Sequence, residues 1–150
     1  MKVIEFLPWH VTVIGARRVA VGPELATRAA GALLSGPART ITTDDDIILA
    51  AVGGAMVTRR TCEMWAIVAE AAKGHPLALA RGVRWCLSEM IRRYSVGRFQ
   101  CAIPEDDQVA RRWAESFGLK AEPPPLKAFG DSGETFVRYA WLAEPPHELS

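Results

Sequence analysis

The 150-residue chain lacks any apolar run near the roughly 20 residues that a membrane-spanning helix needs. It also lacks internal repeats, low-complexity tracts and Gly/Ser/Pro-rich linkers, which excludes a solenoid or a string of domains and leaves a single domain over 1–150. Net charge is nearly absent, +1 from 18 cationic and 17 acidic residues, so no bulk electrostatic drive toward nucleic acid or an anionic membrane is expected. Lysine is scarce: Lys2, Lys73, Lys120 and Lys127 stand against 14 arginines. A GC-rich coding sequence explains that bias, and Arg59-Arg60, Arg92-Arg93 and Arg111-Arg112 read as solvated faces. The opening residues, Met1 to Glu5, put an acid where a signal peptide would carry its apolar core, so the expectation is a protein that stays where it is made.

Few residues are suited to nucleophilic or metal chemistry. Cys62, Cys86 and Cys101 are odd in number, widely spaced and each set in an apolar run, which excludes a disulfide framework and reads as reduced, buried small hydrophobes. The three histidines and three cysteines form no short-spaced ligand pairs, so no metal site is expected. No nucleophile turn surrounds any of them, which argues against a Cys–His hydrolase. Asp44-Asp45-Asp46 lacks the remaining ligands of a calcium loop and reads as a hairpin turn. Tyr94 and Tyr139 are the only tyrosines.

What is present is a clear alternation of periods. Residues 2–20 are ambiguous, Val11, Val13 and Ile14 favouring strand while Pro8 suits the opening of a short helix. Glu24 to Leu34 is rich in helix formers. Arg39–Thr43, Ile47–Met56 and Cys62–Ala71 form a β meander with turns at Asp44-Asp45-Asp46 and Thr58-Arg59-Arg60-Thr61. From Leu79 to Tyr94 the apolar positions recur at helical spacing, and Gly97 is the expected stop. Arg98–Ile103 alternates as a strand with Arg98 and Gln100 on one side. A helix then runs from Asp106 or Asp107 to Gly118, with Val109, Trp113 and Phe117 as its stripe. Leu119–Phe129, interrupted by Pro123-Pro124-Pro125, and Glu134–Leu142 close the chain as strands, with Glu144-Pro145-Pro146 at its end. The order is αα-βββ-α-β-α-ββ, an α/β (mixed α+β) sheet protein. Five tryptophans exceed what a core of this size needs and leave one or two for a protein interface, an oligomer included.

Three segments carry a resemblance. Arg98-Phe99-Gln100-Cys101-Ala102-Ile103, with Asp107-Gln108-Val109-Ala110 and Arg111 to Leu119 after it, is similar to the penultimate strand–helix unit of the GNAT superfamily of acyl-CoA-dependent N-acyltransferases. Gly36-Pro37-Ala38-Arg39-Thr40 leading to Leu49-Ala50-Ala51-Val52-Gly53-Gly54, and the turn Phe129-Gly130-Asp131-Ser132-Gly133, fit the same family. The combination most resembles the small GNAT-like proteins of tailed bacteriophages, some of them internal virion proteins. The resemblance implies a central, mostly antiparallel twisted sheet with a splayed parallel strand pair and about four flanking helices. It implies that acetyl-CoA lies in the splay, its pantetheine arm against the backbone of Ala66, Val68 and Ala69, with Lys73, Gly74 and Arg81 toward the pyrophosphate. Glu63, and after it Glu70, are the candidate general bases.

The chain departs from the family in two places. The loop Ala71–Leu79 holds one glycine, Gly74, and a proline, Pro76, where relatives carry a glycine-rich loop whose N–H groups hold the pyrophosphate. Losing two or three charged hydrogen bonds there costs roughly 3–9 kcal/mol. Ala114 stands where many relatives have a tyrosine that reprotonates the departing thiolate. Two functions therefore stay open: an N-acyltransferase acting on a primary amine, or a catalytically silent GNAT-fold protein that binds other phage structural proteins. The corresponding locations are the bacterial cytoplasm and the virion.

Overall fold

The computed structural model describes residues 1–14, 18–19 and 36–143. In chain order these form β1 (Lys2–Glu5), α1 (Trp9–Ile14), β2 (Arg18–Val19), β3 (Ala38–Thr42), β4 (Ile48–Met56), β5 (Thr61–Val68), a 3-10 helix (Glu70–Gly74), α2 (Pro76–Tyr94), β6 (Arg98–Pro104), α3 (Gln108–Ser116), β7 (Lys120–Leu126) and β8 (Phe136–Leu142). One mixed sheet runs in the order β1-β3-β4-β5-β6-β8-β7, with β2 joined to β5 off that path. Every pairing is antiparallel except β5 with β6, the two strands that α2 connects. This is the mixed α+β, GNAT-like architecture expected, with three α-helices among the described residues. The expected helix Glu24–Leu34 and the closing Glu144-Pro145-Pro146 lie outside the described residues. No described helix is long and apolar enough to cross a membrane.

The expected order opens with helices, has no strand before them, and over 2–20 leaves strand and short helix both open. Lys2–Glu5 is an edge strand, and Val11 and Ile14 belong to a helix rather than a strand. Phe6, His10 and Ile14 are buried at a spacing of four, and that spacing decides the helix over the β-branched composition. The β4 run is a strand because its small residues pack flat between two neighbours, with Leu49, Ala50 and Ala51 fully buried. Asp44 and Asp46 at the β3–β4 tip meet the Met1 ammonium at 2.6 Å and Lys2 Nζ at 2.9 Å.

α2 lies across one face of the sheet. Its buried residues Leu79, Gly82, Val83, Cys86 and Met90 follow helical spacing and pack on Ile41, Ala50 and Val52. A side chain at Gly82 would collide with Ile41, whose carbons lie 2.5–2.9 Å from the Cβ position, so the missing side chain sets how closely α2 approaches β3. The helix ends at Tyr94, three residues before Gly97: Ser95, its C-cap, takes the left-handed conformation (φ 53°) and donates its N–H to Ile91 O. α3 is capped by Asp107, whose carboxylate accepts from Ala110 N at 3.1 Å, and Gly118 (φ 85°) turns the chain after it. Ala110 and Ala114, with Phe117 after the helix, cover Ile103, Val137 and Tyr139, whereas Val109 of the expected stripe is 71% exposed because it precedes the face that meets the sheet. α1 covers the opposite face over Ala51, Ile67 and Trp65. The prolines of β7 shift its register against β8 between Glu122 and Leu126.

Candidate functional site

β5 and β6 are paired only at their beginnings: Thr61 with Arg98, Cys62 with Phe99 and Glu63 with Gln100. Beyond that point they diverge, while β4 stays bonded to β5 as far as Val68 and β8 stays bonded to β6 as far as Pro104. The outcome is a wedge in the sheet, closed at Glu63 and Gln100 and open toward the N-termini of α2 and α3.

A cavity of about 610 Å³ fills this wedge and the space between α2 and α3, within the ~300–1,000 Å³ range of small-molecule sites. Met64, Ala66, Cys101 and Ile103 line it from the α2 face, and Trp65 and Ala102, on the opposite face by strand alternation, line it too. The cavity therefore reaches into the gap between the two strands. Trp65 has room because Gly53 beside it on β4 has no side chain; a Cβ there would meet the indole at 2.4 Å. Leu79, Val83, Cys86, Leu87 and Met90 of α2 and Ala110, Trp113, Ala114 and Phe117 of α3 form the other walls. Arg84 of α2 sits over the Phe117 ring at 5.6 Å, tying the two helices together.

The expected cofactor-binding residues divide. Ala66, Val68, Ala69 and Lys73 line the cavity; Gly74 and Arg81 do not. The β5 edge that faces the opening is partly occupied: β2 pairs Arg18 with Val68 and Val19 with Ile67. Backbone from Met64 to Ala66 is the stretch left open on that side. At the mouth, His75 gives α2 no side-chain cap and Pro76 occupies the first helical position, so Leu77 and Ala78 present N–H groups with no acceptor within the helix.

The two candidate bases also part company. The strand expected over Cys62–Ala71 ends at Val68, because the chain turns into a 3-10 helix where β4 begins and can no longer supply a ladder partner. Glu70 consequently lies off the strand, exposed and ion-paired with Lys73 at 2.6 Å. Glu63 remains half-buried at the closed end of the wedge, on the Trp65 face. Its Oε2 accepts from Gln100 Nε2 at 2.7 Å, Gln100 Oε1 accepts from Arg98 Nε at 2.8 Å, and the Arg98 guanidinium forks onto Glu122 of β7. That contact holds Glu122 below the usual carboxylate range, and the same hydrogen bond raises Arg98. The signal for Gln100 was in the sequence: a polar residue on the strand face that carries Glu63's partner positions.

Tyr139 is fully buried, accepting from Arg111 Nε at 3.0 Å and donating to Glu115 at 3.2 Å, and does not line the cavity. Tyr94 is exposed at the end of α2. Ala114 faces the cavity with no proton to give. Burial pushes the Cys86 and Cys101 thiols, which also line the cavity, up to about 12, and Cys62 to about 11, so all three stay neutral thiols.

No family model matches the sequence, and no curated protein matches it. Solved structures do match the fold. A ribosomal-protein-alanine N-acetyltransferase from Brucella melitensis aligns with TM-score 0.75 at 12% identity, over 95% of this chain and 100% of that one. A mutant of the spermidine N-acetyltransferase SpeG from Vibrio cholerae aligns with TM-score 0.71 at 12% identity, over 95% of each chain. A GNAT-family protein from Desulfovibrio desulfuricans gives 0.69 at 21% identity over 90% of each. The chain has the GNAT acetyltransferase fold. These likenesses give no support to a phage relationship.

Proposed function

We propose that this protein is an acyl-CoA-dependent N-acyltransferase whose acceptor is a primary amine. The observation that supports this most is a cavity in the gap where β5 and β6 diverge; the carboxylate of Glu63 lies beside its closed end, though not among its lining residues. A reaction between two substrates needs a place where both can meet, and a cavity that reaches into the strand gap beside Glu63 suits one.

The residues fit the donor in part. Met64–Ala66 offer strand-edge N–H and C=O groups for an amide-bearing arm. The free N–H groups at the start of α2, with Lys73 beside them, suit a diphosphate. Bound acyl-CoA supplies the activated carbonyl. The protein supplies the base: an amine of pKa about 10 costs roughly 4 kcal/mol to deprotonate at neutral pH, and we assign that proton to Glu63, whose nearness to the closed end of the wedge supports the role. Gln100 holds one carboxylate oxygen, which leaves the other for the amine. With Ala114 in the wall and Tyr139 sealed elsewhere, the leaving thiolate takes its proton from water.

The test combines binding and turnover. Millimolar acetyl-CoA raises the melting temperature by mass action, and thiol release follows when an amine panel is added. Glu63→Gln leaves the thermal shift intact and lowers kcat/KM by about 10²–10⁴-fold. Absence of both shift and thiol release rejects the proposal. A second reading, a catalytically silent binding protein on the same fold, is favoured by β2 on the Ile67–Val68 edge and by Ala114; it predicts that absence.

A further inference from the structure

We infer that the acyl group this site accepts is an apolar chain of about four to six carbons rather than acetyl; the inference rests on the N-acyltransferase reading and gives it a substrate class. Length is the first argument. The cavity lining extends along α2 from Pro76 to Met90, about 21 Å at the 1.5 Å helical rise. A pantetheine arm entering at the α2 N-terminus has the backbone length of about four residues, roughly 14 Å extended. Some 7 Å remain beyond its thiol, room for five or so further atoms at roughly 1.2 Å per bond.

Chemistry at the inner end is the second argument. The lining there is Met64 of β5, Cys101 of β6, and Cys86, Leu87 and Met90 of α2. None of these carries a charge, since burial keeps both thiols protonated. The charged lining residues, Lys73 and Asp107, stand at the opposite end, before α2 and at the start of α3. A polar or carboxylated acyl group would be stripped of water there with nothing to pair with it. An aliphatic chain gains instead, and two methionines can reshape around it. Width is the third: Ala66, Ala110 and Ala114 leave space between strand and helix that larger side chains would fill.

The experiment titrates the purified chain with CoA and with acetyl-, butyryl-, hexanoyl- and succinyl-CoA, reading Kd by calorimetry. Affinity is expected to rise up to about fourfold per added methylene through hexanoyl, the factor that burial of one CH₂ provides. Succinyl-CoA is expected to bind no better than CoA. Cys101→Phe, or Leu87→Trp should the first variant not fold, fills the inner end and abolishes the hexanoyl gain while CoA still binds. If CoA and acetyl-CoA bind and the longer chains bind no tighter, the chain-length inference is overturned and the acyltransferase reading stands. If neither CoA nor any thioester binds, the acyltransferase reading falls first and takes this inference with it.

Discussion

His10 shows how one side chain ties the N-terminal helix to the sheet. The Leu7 N–H donates to its Nδ1 at 3.1 Å, and Thr40 Oγ1 lies 2.8 Å from the same nitrogen. With Nδ1 accepting, the neutral ring carries its proton on Nε2. The ring is 3% exposed and packs edge-on against Phe6 and Trp9, and burial lowers its pKa below the ordinary 6.5. An unfolded chain binds that proton near pH 6.5 and the folded chain only at lower pH, so the unfolded state holds more protons between the two values. Stability is therefore full above pH 6.5 and declines as the pH falls below it. Melting temperature measured from pH 7.5 to 5 should fall in the native chain and fall less in His10→Gln, whose side-chain carbonyl still accepts from Leu7.

Elements were legible wherever the period was long and clean. Leu79, Val83, Cys86 and Met90 announced α2, and alternation through Arg98–Ile103 announced β6. Boundaries were less legible because partners set them: β5 stops at Val68 where β4 runs out, which moved Glu70 from a strand into an exposed turn. Gly82 is a cost to the helix in isolation, about 1 kcal/mol against alanine, and only its contact with Ile41 explains it. Gly82→Ala should consequently destabilise by about 1–3 kcal/mol through overpacking, despite the better helix propensity. Chemical denaturation checks this, and adding Ile41→Val, which removes the Cδ1 carbon at 2.8 Å but keeps Cγ2 at 2.5 Å, should recover only a small part of the loss. A stabilised Gly82→Ala would show that α2 can shift off β3 at no cost.

At the scale of the molecule, the divergence of β5 and β6 converts a continuous sheet into one with a doorway. Open strand edges inside a folded protein leave backbone groups without ladder partners, and those groups are what an extended ligand would pair with. Hydrogen exchange should report this directly. The Met64–Ala66 amides that face the opening are expected to exchange fast in the free protein and to become protected when acyl-CoA binds, while Leu49–Val52 amides bonded to β3 and β5 stay slow throughout. Unchanged exchange at Met64–Ala66 under saturating ligand would place the donor elsewhere.

The order of strands and helices from β3 onward, the Asp107 cap and the neutral cysteines could be read from residues close together in the chain, because periodicity, capping and composition are local; β1 and β2 could not, and Glu63 became a candidate base only through the family resemblance. Other features came only from the tertiary structure. These are the halt of β5–β6 pairing at Glu63 and Gln100, the chain of contacts from Glu63 to Glu122, the contact of β2 with the β5 edge and the apolar inner end near Met64 and Met90. Each joins residues far apart in sequence, and their side chains meet only after the sheet has set its register and the helices have docked.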